Sequence, residues 1–575
     1  MIQDPSLPGP FTSTKVTYAA PGLSYAVTNC TGRYFVFENP TSGFTTRTID
    51  LSDIADFDVT IDWPFTNSNA PINGLLHIPS GGGPFPLAVF AHGNHTATED
   101  STPGYLYLCE LLASHGILAA TIDVNFLNGG NRGENDGRAI VQLEHIKQFQ
   151  IWHQQIGHPL AGKVDLSKVM IVGHSRGGEA VGHASLFNGM DAIQFDRFGP
   201  SIPVDGSEDL GPYHFNLEAV FAISPTDQQY SPVGGLTGVR DPYMVIHGSR
   251  DSDVYYFAGH LAYDRSYRVD LANPAQLAEG TKALLWIHGA NHNNFNSQWG
   301  QESAGTLTRD LQEQIAKTYI GAVAQAQLLG QSDYLEILQD PDVVFRNGWI
   351  TQPVTLVSQY QGADRLFIQH NEESGTAIQI SAPVTGNVTS TDVQAAKRNL
   401  ATLGPSSLTT ETGIFLDTGS HLLQDAQGVA IAWTEMGGEY RVEFDPATAN
   451  ADTFTHVAFR AGQSFESLNT PGMDQDLTLV FHDGTNSVSF PLSTFTSLPF
   501  PDTFPQFRPQ IAPFALPHTE PVTVLQTVLI PFQTLRDAGL NPAQLQRIEF
   551  HFDLTSSGLL YLDDIQLTRL ASPSV

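Results

Sequence analysis

Gly173-His174-Ser175-Arg176-Gly177-Gly178 is preceded by Lys168-Val169-Met170-Ile171-Val172 and followed by Glu179-Ala180-Val181-Gly182-His183-Ala184-Ser185-Leu186-Phe187. The first flank is short, apolar and β-branched, as a buried parallel strand requires, and the second reads as a helix. The whole is a strand, a sharp turn and a helix with a serine at the apex. Small residues at 173 and 177 relieve crowding in such a turn, and the Ser175 hydroxyl is lifted clear of the sheet. This spacing predicts a nucleophile. A bare Gly-x-Ser-x-Gly is common in a chain with 51 glycines, so the flanking elements carry the reading.

The partners follow in the required order. Upstream, Phe85-Pro86-Leu87-Ala88-Val89-Phe90-Ala91 is a second buried-strand run, and it opens into His92-Gly93-Asn94-His95. A tetrahedral acyl intermediate needs two fixed backbone donors, and the N–H groups of Asn94 and Arg176 are the candidates. Downstream, Pro242–His247 ends in Gly248-Ser249-Arg250-Asp251-Ser252-Asp253-Val254, and Ala283–His288 ends in Gly289-Ala290-Asn291-His292. Ser175, Asp251 and His292 thus stand in the chain order of a serine, acid and histidine triad. Asp253, on the same loop, and Asp227, after the strand Ala219–Ile223, are the rival acids. His288 is the rival base, but it falls at the strand end rather than in the loop beyond it.

Residues from about 60 to 325 resemble an α/β-hydrolase of the esterase and lipase type, nearest to the branch of platelet-activating-factor acetylhydrolases, chlorophyllases and polyester hydrolases. The similarity lies in Phe85–Gly93, in Ala113-Ser114-His115-Gly116-Ile117-Leu118-Ala119-Ala120, in the elbow at 173–178, in Gly248-x-x-Asp251-x-x-Val254 and in Gly289-Ala290-x-His292. It implies an α/β-hydrolase fold and a carboxylic-ester hydrolase. A histidine base predicts activity that falls as pH drops through about 6–7. His92 and His95 have a spacing that suits a metal, but no carboxylate or cysteine accompanies them, and no metal is expected in catalysis.

The formal net charge of −32, from 59 acidic against 27 basic residues, argues against nucleic acid as partner. No apolar run approaches a membrane span. An acidic surface with lysine at only seven positions suits a secreted or salt-exposed protein. Met1-Ile2-Gln3-Asp4-Pro5 is no signal peptide, so an extracellular location implies that one has been removed. Cys30 and Cys109 are the only cysteines, and a disulfide and two buried thiols are equally open readings. Asn94-His95-Thr96 is a glycosylation sequon, although a glycan there would block the oxyanion loop.

Helical periodicity marks Ile140–Gln155 and Thr306–Leu329. Residues 1 to about 60 are expected to add antiparallel strands. The long stretch from Phe187 to Phe215, carrying Phe195, Phe198, Tyr213 and Phe215, is a candidate cap over the active site, or else an ordinary insertion. Beyond about 340 short β runs take over, at 476–481, 487–492, 522–530, 547–552 and 558–565, as in an antiparallel sandwich. The expected organisation is a catalytic α/β-hydrolase domain at 1–335, a linker at 336–350 and an all-β, jelly-roll-like sandwich at 351–575. The closing segment resembles galactose-binding-like jelly rolls, including many carbohydrate-binding modules. That resemblance implies a structural calcium, with Asp563 or Asp564 as ligand; two solvated strand-end acids are the alternative, since six or more oxygens cannot be located. The expected function is hydrolysis of a polymeric or lipid-like ester through an acyl-enzyme, against the alternative of a binding protein with a degenerate hydrolase domain. Oligomeric state has no signature in the sequence.

Overall fold

The computed structural model describes the chain except residues 1, 24–25, 29–33, 37–39, 59–60, 196–198, 228–238, 240, 255–258, 271–272, 278–279, 303, 401–405, 411–412, 418–425, 503–521 and 571–575. Cys30 and Phe198, and with them the disulfide question, lie outside the described residues. Cys109 is a buried thiol whose ionisation is pushed far up by burial. The chain divides into two compact units, the first comprising Met1–Ser266, Gly289–Ile337 and Asn347–Gln352, the second Tyr267–His288, Leu338–Arg346 and Pro353–Val575.

The first unit is built on seven strands: β1 (Ser13–Tyr18), β2 (Gly74–Pro79), β3 (Phe85–Ala91), β4 (Leu118–Ile122), β5 (Val164–His174), β6 (Leu217–Ile223) and β7 (Tyr243–Gly248). Their order is β1-β2-β4-β3-β5-β6-β7. β1 and β2 are antiparallel, as are β2 and β4, and the remaining pairs are parallel. Every residue of β3 and β7 is buried, which explains why their sequences run apolar without alternation. Pro86 cannot donate to the ladder, and the register between β3 and β5 shifts between Pro86 and Leu87. Helices α1 (Leu106–Ser114), α2 (Glu134–Gln154), α3 (Arg176–Asn188) and α4 (Arg309–Val323) accompany the sheet. The helical pattern expected to reach Leu329 gives way after Val323 to a π-helical turn, Ala324–Leu328.

The second unit contains an antiparallel pair, β8 (Lys282–Ile287) with β9 (Leu356–Gln361). Two antiparallel sheets follow. One joins β10 (Arg365–Gln369), β12 (Gln394–Asn399), β13 (Gln427–Trp433), β15 (His456–Gln463), β18 (Gln526–Pro531) and β20 (Gly558–Thr568); the other joins β11 (Gly386–Thr391), β14 (Gly438–Phe444), β16 (Thr478–His482), β17 (Ser487–Pro491) and β19 (Arg547–Phe552). Val429, Ile431, Phe459 and Leu562 of the first sheet share one buried cluster with Tyr440, Val442, Phe481, Ile548 and Phe550 of the second. In β14 the buried Tyr440, Val442 and Phe444 alternate with Glu439, Arg441 and Glu443, the period of a strand with one face in a core. No described helix is long and apolar enough to cross a membrane.

Candidate active site

Ser175 falls between β5 and α3 with φ 58° and ψ −122°, a left-handed conformation that a non-glycine residue adopts only when its surroundings impose it. Those surroundings are specific. Its N–H donates to the Ile223 carbonyl at 2.9 Å, and its own carbonyl accepts from Thr226 at 3.2 Å and Glu179 at 3.1 Å. A Cβ on Gly177 would stand 2.5 Å from the Ala91 carbonyl oxygen, and one on Gly93 would stand 2.4 Å from the Ser175 Cβ. Only glycines let the end of β3 pass this close to the elbow. Asn94 and the serine are thereby brought to one place. Arg176 is the first residue of α3, where the helix leaves its N–H without an internal acceptor. The Asn94 side chain accepts from the Gly129 N–H at 2.8 Å, and the Arg176 guanidinium pairs with the buried Glu134, which also binds Arg138.

His292 Nδ1 meets Asp251 Oδ2 at 2.8 Å, with both side chains buried. The other oxygen of Asp251 accepts the N–H groups of Asp253 at 3.0 Å and Val254 at 2.7 Å. The acid is therefore clamped by its own loop. Among the described residues His292 Nε2 has no hydrogen-bond partner. The ring of His174, the residue before Ser175, stands 4.6 Å from that of His292, so the elbow and the histidine loop are adjacent. Burial opposes charge on His292, but Asp251, Asp253 and Glu302 outweigh it and push its protonation up to about 9. Burial also opposes charge on Asp251, yet the histidines around it hold its carboxyl below the ordinary range.

The rivals are placed elsewhere. Asp227 pairs with Arg265, and burial, offset by that guanidinium, pushes it up to about 6. His288 follows β8 and lies in the second unit. Both ring nitrogens of His92 are committed, Nδ1 with the Gly93 carbonyl at 2.8 Å and Nε2 accepting from the Val124 N–H at 3.2 Å; burial and Arg138 hold its protonation down to about 3. His95 pairs with Glu99 and stacks on Trp299. In the stretch considered as a cap, the Tyr213 hydroxyl donates to Glu144 of α2 at 2.9 Å, and the Phe215 N–H to Asn188 at 2.8 Å.

At Asp563 and Asp564, where the resemblance implied a calcium ligand and two strand-end acids were the alternative, the structure places a guanidinium. Arg460, buried on β15, reaches Asp563 Oδ2 at 2.6 Å and Asp564 Oδ2 at 2.9 Å, while Asn371 donates to the other oxygen of Asp563 at 3.3 Å. A guanidinium supplies the positive charge assigned to a cation, and a dication between these acids would meet it head-on.

Four residues around the triad were not singled out from sequence. His247, at the end of β7, has Nε2 3.2 Å from Asp251 Oδ2, so the carboxylate lies between two imidazoles. Its signal was a histidine inside an otherwise apolar buried strand. Glu302 accepts the His292 N–H at 3.0 Å and is pushed up to about 7 by burial and the nearby Asp251. Beneath the elbow, Glu179 of α3 accepts from Thr226 at 2.7 Å and Asn135 at 3.0 Å, and His183 bonds Asp136 at 2.6 Å.

Residues 45–211 match the model of the chlorophyllase family, a family of ester hydrolases within the α/β-hydrolase superfamily. The matched stretch is well under half of the chain; it holds Asn94, Ser175 and Arg176 and ends before Asp251 and His292. No curated protein matches the chain.

Proposed function

We propose that the chain is a serine hydrolase of carboxylic esters. Ser175 attacks the ester carbonyl while His292 takes its proton at Nε2. Asp251 holds the ring through Nδ1 and stabilises the imidazolium, and the N–H groups of Asn94 and Arg176 bind the oxyanion, a contribution of about 10²–10³ in rate per donor. Collapse of the tetrahedral intermediate passes the Nε2 proton to the leaving alcohol. Water then repeats the sequence on the acyl-enzyme. The carrying observation is the buried Asp251–His292 pair beside a serine held at positive φ between a glycine-lined strand end and a helix N-terminus. A polymeric or lipid-like ester, encountered outside the cell, is the substrate that best fits the acidic, lysine-poor composition and the appended β unit. A fluorophosphonate probe is expected to label Ser175, located by peptide mass, with matching loss of p-nitrophenyl butyrate hydrolysis. Hydrolysis that survives full labelling, or label on another serine, overturns the assignment.

The pH profile follows from the carboxylates around His292. The base works only when neutral, and its protonation lies near 9 rather than the ordinary 6.5. Hence kcat/KM is expected to rise with pH through an acid limb well above 7, not at the 6–7 an isolated histidine would give. A limb at or below 6.5 contradicts this. The ion pair's share of stability runs the other way: on the Asp251 side it is present above about 4, and on the His292 side it is complete below about 6.5 and lost as pH rises through about 9.

A further inference from the structure

Asp253 Oδ2 stands 3.6 Å from His292 Nε2, the nitrogen opposite the one Asp251 holds. The two acids differ in setting. The Asp251 side chain is fully buried, whereas that of Asp253 is 61% exposed, so the second carboxylate faces solvent at the edge of the site. Its backbone is not free to drift, because its N–H is bonded to Asp251 Oδ1 at 3.0 Å. The loop therefore carries one carboxylate to each side of the same imidazole.

We infer that Asp253 is a specificity-determining residue that favours esters whose alcohol part is neutral or cationic and disfavours those whose alcohol part is anionic. This rests on the triad reading above. In that reaction Nε2 delivers its proton to the leaving alcohol oxygen, which must approach within about 3 Å of it. With Asp253 Oδ2 3.6 Å from the same nitrogen, the leaving oxygen lies no more than roughly 6–7 Å from a carboxylate. The remaining groups facing His292 do not reverse the sign. Asp251 and Glu302 are acidic, His174 is kept neutral by burial and by His292, His247 borders Asp251, and Trp299 is an uncharged ring 6.0 Å away. Among the described residues, the ionic partner of Asp253 is His292 alone. Across a partly solvated gap of this size one unit charge changes binding of the transition state by about three- to tenfold. If Asp253 were only a solvated loop acid, its removal would leave substrate charge without effect.

The test uses the full chain and three butyrate esters: butyrylcholine for a cationic alcohol part, phenyl butyrate for a neutral one and 4-carboxyphenyl butyrate for an anionic one. For each protein the ratio of the cationic to the neutral kcat/KM, and of the neutral to the anionic, is measured at low salt and at ~0.5 M salt. Against Asp253→Asn, the wild type is expected to hold each ratio about three- to tenfold higher, with the difference shrinking in high salt. Asp253→Glu, which keeps the charge, should retain most of it. The Asn variant should also move the acid limb of the pH profile downward, a response that a merely structural loop residue would not give. Unchanged ratios in Asp253→Asn, or an equal loss on all three esters, overturn the inference while leaving the triad reading intact. Absence of wild-type turnover on all three overturns the ester-hydrolase reading and this inference with it.

Discussion

Replacing Ser175 with alanine is expected to lower kcat on a soluble ester by about 10⁴- to 10⁶-fold while the unfolding transition stays where it was. The size of the effect follows from the triad acting as a unit: without Oγ, the base and its acid have nothing to activate. His292→Ala should cost nearly as much. Asp251→Asn should cost about 10⁴, because an amide facing Nδ1 no longer fixes the ring in the tautomer that leaves Nε2 open. Asp227→Asn provides the contrast. Its partner is Arg265, so its loss should appear in stability and leave kcat close to the wild type. Steady-state kinetics with a soluble ester, alongside thermal unfolding of each variant, measures all four. Comparable turnover in Ser175→Ala, or a larger kcat loss in Asp227→Asn than in Asp251→Asn, would refute the assignment.

Arg460→Met is expected to be the most damaging single change in the second unit, at about 3–5 kcal/mol. Arg460, Asp563 and Asp564 are buried together, and the guanidinium contacts both carboxylates. Methionine fills much of the volume but leaves two carboxylates close to one another without compensation. Urea unfolding of the second unit's transition would register the loss. Adding Asp563→Asn and Asp564→Asn to Arg460→Met should recover a large part of it, since neutral amides bury at lower cost. Recovery by millimolar calcium instead, without those substitutions, would revive the cation reading.

The partner of these two acids shows where sequence stops being informative. Asp563 and Asp564 stand at adjacent positions in a strand, so their mutual proximity was legible. Arg460, on a different strand more than a hundred positions upstream, leaves no local trace of the pairing. The elbow was legible for the opposite reason. Strand, serine, glycines and helix are contiguous, and the steric demand that fixes them acts within a few residues. Asp251 and His292 could be ranked above Asp227 and His288 from loop spacing and strand position, His288 falling at the strand end itself. His247 and Glu302 were missed because their roles depend on what lies beside them in space. The change from α- to π-helical winding after Val323 was hidden as well, since Ala324–Leu328 keeps the composition of a good helix.

The way the two units share the chain constrains how the protein can be made. Residues 267–288 leave the ribosome in the middle of the first unit's sequence, yet they belong to the second. β8 then waits for β9, whose Gln361 pairs with Lys282 at the far end of a long intervening stretch that includes His292 and α4. During synthesis the histidine loop thus emerges before β8 has gained β9 as its neighbour, and a strand edge left open in this way invites wrong partners. Refolding from denaturant faces the same requirement for a distant pairing, one that loop-closure entropy makes slow.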